Sequence, residues 1–277
     1  MGMKRFDSDG VDLAYIDEGE GEPVLLLHGF ASNVVTNWVD AQWVRTLRQA
    51  GRRVIAFDHR GHGQSEKLYA PELYGAPVMA EDARRLLDHL GIASADIVGY
   101  SMGARVAAFF VFQYPERVRS AVFAGLGINM VRGMVGTGPL ARALEAPRIE
   151  DVTNDTARSF RAFAEQTKSD LKALAACMRG PREKITKEQL SAIHVPVLVA
   201  VGSEDVIGGS GAELASLIPN AQFLNIPGRD HMRAVGDERF KQGVLDFLTR
   251  GPLGQCGLVV DSSPSTLLRG AKRGYDA

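Results

Sequence analysis

Ser101 stands at the centre of Gly99-Tyr100-Ser101-Met102-Gly103, between the apolar run Ala95-Asp96-Ile97-Val98 and the helix-forming run Ala104–Phe110. This reads as a strand, a tight turn with a serine at its tip, and a helix. Glycines two before and two after the serine let neighbouring backbones pass close enough to hold it in a strained geometry with its hydroxyl exposed. The five-residue pattern alone is a weak signal, and the flanking strand and helix are what make Ser101 a candidate nucleophile. A serine hydroxyl is unreactive near neutral pH unless a base lies within hydrogen-bond reach and a carboxylate orients that base.

Of the six histidines, His231 is the expected base. Gly228-Arg229-Asp230-His231 follows the buried run Phe223–Ile226 directly, which places the ring on a loop at a strand end. His89 and His194 have no such placement. The expected carboxylate is Asp205, because Val197–Val201 empties into Gly202-Ser203-Glu204-Asp205 on the same edge. Glu204 is the alternative acid. Asp230 fits less well, since side chains adjacent in sequence diverge. His28, His59 and His62 match no zinc spacing, and the chain lacks a P-loop and a glycine-rich dinucleotide fingerprint, so neither metal nor organic cofactor is expected.

The elements that must position these residues follow from hydrophobic periodicity. Val24–Leu27, Val54–Phe57, Ile97–Val98, Ala121–Ala124, Val197–Val201 and Phe223–Ile226 read as buried parallel strands. Helical spacing joins Val39, Trp43 and Leu47, then Ala83, Leu86, Leu87 and Leu90, and finally Phe240, Val244, Phe247 and Leu248. The alternation predicts an open α/β fold, a mostly parallel twisted sheet flanked by helices. Phe6–Asp7 and Val11–Ile16, flanking Ser8-Asp9-Gly10, predict an antiparallel hairpin at its start.

The pattern breaks between Leu126 and Ile193, where helical pieces around Leu140–Leu144, Ala157–Phe163 and Leu171–Met178 predict an inserted helical cap. One domain is expected, with a core of residues 1–125 and 194–250, a cap of residues 126–193 and a flexible tail of residues 251–277. Met130, Met134, Phe160 and Phe163 either face a substrate or pack the cap onto the core. In the tail, Arg269, Lys272 and Arg273 read as a solvated segment or as a partner contact.

The chain is 277 residues long, 45% hydrophobic and 23% charged, with a formal net charge of -1, a balance that calls for neither nucleic acid nor an anionic membrane. Cys177 and Cys256 fit no metal or redox spacing, which points to reduced thiols and a cytoplasmic setting. The N-terminus lacks an apolar signal region, and no run reaches transmembrane length. The oligomeric state is not legible.

The order serine, acid, histidine, each after a successive strand, resembles that of the α/β-hydrolase superfamily from about Phe6 to Arg250. His28-Gly29-Phe30 is similar to that family's HGx loop, and the resemblance implies an oxyanion hole formed by the backbone amides of Phe30 and Met102. Asp58-His59-Arg60-Gly61-His62-Gly63-Gln64-Ser65 resembles the family's DxRGxGxS turn, whose implied role is to brace the loops beneath the site. Serine, in place of the aspartate of epoxide hydrolases and haloalkane dehalogenases, disfavours those two activities. Arg229-Asp230 departs from the small residues often found before the histidine, which predicts a more polar approach to His231, and Arg105, just beyond the serine turn, reads as a solvated residue.

The resemblance implies acyl transfer on a small carboxylic ester, with a small-molecule substrate and no cofactor. Lactone, thioester, amide or carbon–carbon bond hydrolysis and cofactor-free perhydrolysis are alternatives on the same three residues. A hydrolase-fold receptor that captures a small ligand without turnover is the non-enzyme alternative. An interaction protein working through the tail is a further one.

Overall fold

Val24 and Leu26 point to one face of the sheet and Leu25 and Leu27 to the other, and every one of the four is fully buried. This is the mark of a strand covered on both sides. The computed structural model describes residues 2–133 and 137–250, and in it eight strands form a single sheet. They are β1 (Lys4–Asp7), β2 (Asp12–Glu18), β3 (Glu22–Leu27), β4 (Arg52–Phe57), β5 (Ala95–Tyr100), β6 (Val118–Ala124), β7 (Val197–Gly202) and β8 (Gln222–Ile226). Their spatial order is β1-β2-β4-β3-β5-β6-β7-β8. β2 pairs antiparallel with β1 and with β4, and all other pairs are parallel.

The register places the strand ends together. Leu27 pairs with Phe57 and with Gly99, Tyr100 with Ala124, Ala124 with Ala200, and Gly202 with Ile226. The loops that follow β3, β5, β7 and β8 therefore leave from one edge of the sheet. The chain also reverses its direction of winding around β3, the position at which open α/β sheets form their binding crevice.

One face is covered by α1 (Trp43–Gln49) and α10 (Glu238–Arg250), where Trp38, Trp43, Leu47, Phe240 and Val244 meet Val24, Leu26, Val98 and Val122. The other face is covered by α2 (Ala76–His89) and α3 (Met102–Gln113), where Ala83, Leu87, Val106 and Phe110 meet Leu25, Ile55, Ile97 and Phe123. Arg60 makes a buried two-pronged pair with Asp82 of α2, at 2.7 Å on each prong, and Ser8 Oγ donates to the same carboxylate at 2.6 Å. That network ties the first hairpin to the turn after β4.

Between β6 and β7 the described residues form the α-helices α4 (Asn129–Arg132), α5 (Thr137–Glu145), α6 (Asp155–Gln166), α7 (Leu171–Arg179) and α8 (Lys187–Ser191). Their starts are written in the sequence. Asn154 caps α6, Asp170 caps α7, and Thr186 with Gln189 forms a capping box on α8. α9 (Gly211–Ala215) follows β7. Met134 and residues 251–277, including Cys256 and the predicted flexible tail, lie outside the described residues. Among the described residues no helix is long and apolar enough to cross a membrane.

Candidate active site

Ser101 has φ 55 and ψ -112, a left-handed backbone that a serine adopts only where its surroundings impose it. Two glycines permit the turn. A Cβ at Gly99 would collide with the Gly103 carbonyl, and one at Gly103 with the carbonyls of Leu27 and His28. The Ser101 amide donates to the Ala124 carbonyl at 2.7 Å, which fastens the tip of the turn to β6.

His231 and Asp205 arrive from the ends of β8 and β7. The two loops are joined, because the Glu204 amide donates to the Arg229 carbonyl at 3.1 Å, and Tyr100 Oη donates to the His231 carbonyl at 2.6 Å. Asp205 Oδ2 lies 2.8 Å from His231 Nδ1, and its Oδ1 accepts from the amides of Ile207 at 3.0 Å and Gly208 at 2.7 Å. A buried carboxylate that only accepts assigns the imidazole proton to Nδ1. The Nε2 lone pair then faces Ser101 Oγ at 2.9 Å. This arrangement can draw a proton from the hydroxyl. Glu204 is exposed and Asp205 buried, while Asp230 spends its carboxylate on the amides of Met232 and Arg233, so the structure brings Asp205 rather than either alternative to the ring.

The loop after β3 lies against this group. His28 Nδ1–H donates to the Gly29 carbonyl at 2.8 Å while its Nε2 accepts from the His59 amide at 3.0 Å. Asn37 Oδ1 accepts from the Gly29 amide at 3.0 Å. Asp58 accepts from the amides of Val34 and Gln64, and Ser65 Oγ donates to the Asp58 carbonyl, so the turn after β4 braces the loop from below. Among the described residues the amides of Phe30 and Met102 donate to no protein group, and both residues line the space around Ser101. Sequence reading did not find Asn37, which no motif flags. Burial pushes His28 down to about 4 and His62 down to about 3, and His59 lies well below the usual imidazole range for the same reason. These rings are neutral structural parts. Among the described residues no group of three or more His, Cys, Asp or Glu side chains is arranged to hold a metal.

Two spaces meet at Ser101. The smaller, about 180 Å³, lies on the His231 side between Phe30, Asn37, Phe163, Met232 and Val235. The larger, about 420 Å³, runs beneath α4 and α7 between Met102, Arg105, Met130, Met178 and Ile207. Phe160 borders both, so Met130, Phe160 and Phe163 face the spaces as well as packing. Two expectations are corrected here. Arg229 does not make the approach to His231 polar, because it turns away to pair with Asp237 at 2.6 Å, leaving Met232 and Val235 beside the ring. Arg105 is not merely solvated, since it donates to the carbonyls of Met130, at 3.1 Å, and Glu183. Cys177 is buried, which pushes its thiol up to about 12 and leaves it inert.

The α/β-hydrolase fold model matches residues 22–137. Over 252 residues the chain is 32% identical to the 2-hydroxymuconate semialdehyde hydrolase of Pseudomonas putida, covering 84% of this chain and 89% of that one. It is 29% identical over 273 residues to the non-heme chloroperoxidase CPO-A1 of Kitasatospora aureofaciens, covering 87% and 98%. A thermophilic esterase from Thermogutta terrifontis superposes with a TM-score of 0.69 at 25% identity, covering 90% of this chain and 99% of that one. The chain belongs to the α/β-hydrolase fold family.

Proposed function

We propose that this chain is a serine hydrolase that cleaves a small carboxylic ester through an acyl-enzyme, beneath a cap formed by residues 126–193. The observation that carries the reading is the continuous relay from Ser101 Oγ to His231 Nε2, at 2.9 Å, and from His231 Nδ1 to Asp205, at 2.8 Å. In this reading His231 takes the Ser101 proton as Oγ attacks the ester carbonyl, and Asp205 holds the ring in the Nδ1–H tautomer and stabilises its charged form. The Phe30 and Met102 amides receive the negative charge that develops on the carbonyl oxygen, a contribution on the order of 3 kcal/mol for each donor in such sites. His231 then returns the proton to the leaving alkoxide, and water releases the acyl group by the same steps. The likeness to a thermophilic esterase supports an ester substrate.

The likeness to a 2-hydroxymuconate semialdehyde hydrolase favours a second reading, in which the same relay acts on a substrate of that kind. The test is a panel of short esters, lactones, thioesters and 2-hydroxymuconate semialdehyde, combined with a neutral fluorophosphonate that labels activated serines. The expected result is ester turnover and a mass shift on the peptide carrying Ser101. Turnover of no ester, with Ser101 unlabelled, would defeat the proposal.

A further inference from the structure

The larger space beside Ser101 has a one-sided charge. Among the described residues its wall carries Arg105, Arg132, Arg182 and Lys184 and no aspartate or glutamate. Arg132 is neutralised by Glu213 at 2.6 Å. Arg105, Arg182 and Lys184 take part in no ion pair among the described residues. Arg105 sits one helical turn beyond Ser101 on α3, half-buried, and its two recorded partners are backbone carbonyls, which hold the guanidinium in place without cancelling its charge. Among the described residues, Arg182 donates to Met178 Sδ at 3.3 Å and to the Cys177 carbonyl at 3.5 Å.

The rest of the chamber is mostly apolar, with side chains such as Met102, Leu126, Met130, Ile185 and Ile207, beside the polar Ser101, Asn129 and Thr137. Half-buried Arg105 is screened less there than a surface charge, exposed Arg182 and Lys184 add attraction that salt weakens, and a guanidinium offers a fork that matches a carboxylate. By contrast, among the described residues no aspartate, glutamate, lysine or arginine lines the smaller space. The two spaces are thus chemically unlike, and they meet at Ser101, with His231 lining the smaller and Met102 the larger.

We propose that the large chamber selects acyl groups that end in a second carboxylate, so that the substrate is a monoester of a dicarboxylic acid, with Arg105 and Arg182 as the residues that recognise the anion and Lys184 adding charge at the rim. The inference rests on the ester hydrolase reading and deepens it. The side is fixed by the chemistry: His231 borders the small space and not the large one, and the group that reprotonates the alkoxide must lie next to it. The alcohol therefore departs through the small space, and the acyl chain occupies the large one. The remote carboxylate takes no part in the bond changes. Ser101 Oγ forms its bond to the acyl carbon as the ester C–O bond breaks and His231 passes the proton to the alkoxide; water's hydroxyl then bonds to the acyl carbon as the acyl–Oγ bond breaks, and its proton returns to Ser101 through His231.

The experiment compares monomethyl glutarate and monomethyl adipate with methyl pentanoate and methyl hexanoate, following acid release by titration at constant pH in low salt. The full-length protein is expected to give a charged-to-neutral ratio of kcat/KM above about tenfold, falling as salt rises. Arg182→Met should cut that ratio about tenfold, and Arg182→Glu should bring it below one. Arg182 is exposed, so these variants leave the packed core intact. Arg105→Met should lower the ratio further, but it also removes the ties to α4 and to the Glu183 carbonyl. The Arg182 variants are therefore decisive. A wild-type ratio at or below one, or a ratio unmoved by Arg182→Glu, overturns the proposal. Fluorophosphonate labelling separates the two levels: with Ser101 labelled and neutral esters cleaved, such a result defeats only the chamber assignment, whereas an unlabelled, inactive protein defeats the hydrolase reading and this inference with it.

Discussion

Asp205→Asn is the sharpest test of the relay, because the local hydrogen bonds dictate which way the new amide must point. Asp205 Oδ1 accepts two backbone amides, from Ile207 at 3.0 Å and Gly208 at 2.7 Å, while Oδ2 faces His231 Nδ1 at 2.8 Å. An asparagine satisfies both amides only with its oxygen toward them, and this leaves its NH₂ against Nδ1. Two donors cannot face each other, so the ring must move its proton to Nε2. The N–H then points at Ser101 Oγ and the base is lost, although every backbone contact survives. The same exchange in a serine-protease triad lowers kcat about 10⁴-fold, which corresponds to about 5.4 kcal/mol of transition-state stabilisation. A fall of between about 10³ and 10⁴ in kcat is expected here on an activated ester, with the melting temperature nearly unchanged. Glu204→Gln, at an exposed position one residue earlier, should change kcat by less than about twofold. If Asp205→Asn kept activity within tenfold of wild type, or Glu204→Gln proved the more damaging, Asp205 would not be the orienting acid.

Four further outcomes are expected. Ser101→Ala should fold normally and lose ester hydrolysis by several orders of magnitude, with His231→Ala giving a comparable, non-additive loss; burst and steady-state kinetics on purified variants check this. Asn37→Leu removes the acceptor that fixes the Gly29 amide and should lower kcat by about tenfold or more while costing about 1–3 kcal/mol of stability for the buried amide it leaves unpaired, a result read from kcat and thermal melts together. Turnover should survive exhaustive treatment with EDTA, since the chain shows no zinc spacing; loss with recovery on adding zinc would contradict the serine mechanism. Acid should destabilise the fold: the unfolded chain takes up protons as pH falls through 6.5, whereas folded His28 resists until about 4, so its contribution is complete above 6.5 and drains away between those values. For His28 alone this amounts to about 3 kcal/mol, and urea unfolding at pH 7.5 and pH 5 should differ by at least about 2 kcal/mol.

Most strands and their order along the chain were legible because each is a short apolar run bounded by turn residues, which is what burial on both faces demands; β8 is the exception, since the run Phe223–Ile226, expected to be buried, forms an edge of the sheet with Phe223 and Asn225 exposed and Ile226 alone fully buried. Val24–Leu27 and Val197–Val201 needed no partner to be recognised, and the structure only lengthens them, to Glu22–Leu27 and Val197–Gly202. Ser101 was legible because its turn leaves a local imprint in Gly99 and Gly103. Asn37 left none. Its value comes from an amide eight residues earlier, and a lone asparagine in a helical run looks the same whatever it touches. Arg105 was visible, but its surroundings are supplied by α4 and by the strand-free segment after α7, so its half-buried setting could not be inferred from its own helix. The polarity expected before His231 failed for a related reason, since Arg229 finds its carboxylate in Asp237 on the far side of the loop.

The strained backbone at Ser101 explains why so much of the surrounding structure is neutral and buried. Holding a serine at positive φ costs on the order of 1–3 kcal/mol, and this persists only where neighbouring contacts leave the chain no alternative. Here the constraints are steric on one side, with Gly103 lodged against the Leu27 and His28 carbonyls, and directional on the other, with the Ser101 amide bonded to Ala124 at 2.7 Å. His28 belongs to the same clamp, because its two ring nitrogens join the Gly29 carbonyl to the His59 amide. Protonating His28 would remove its acceptor and leave that buried amide without a partner. The group that costs stability in acid is therefore also the one that holds the Phe30 amide in position. Loss of ester turnover on acidification is expected to run ahead of global unfolding, through loosening of the loop that carries Phe30.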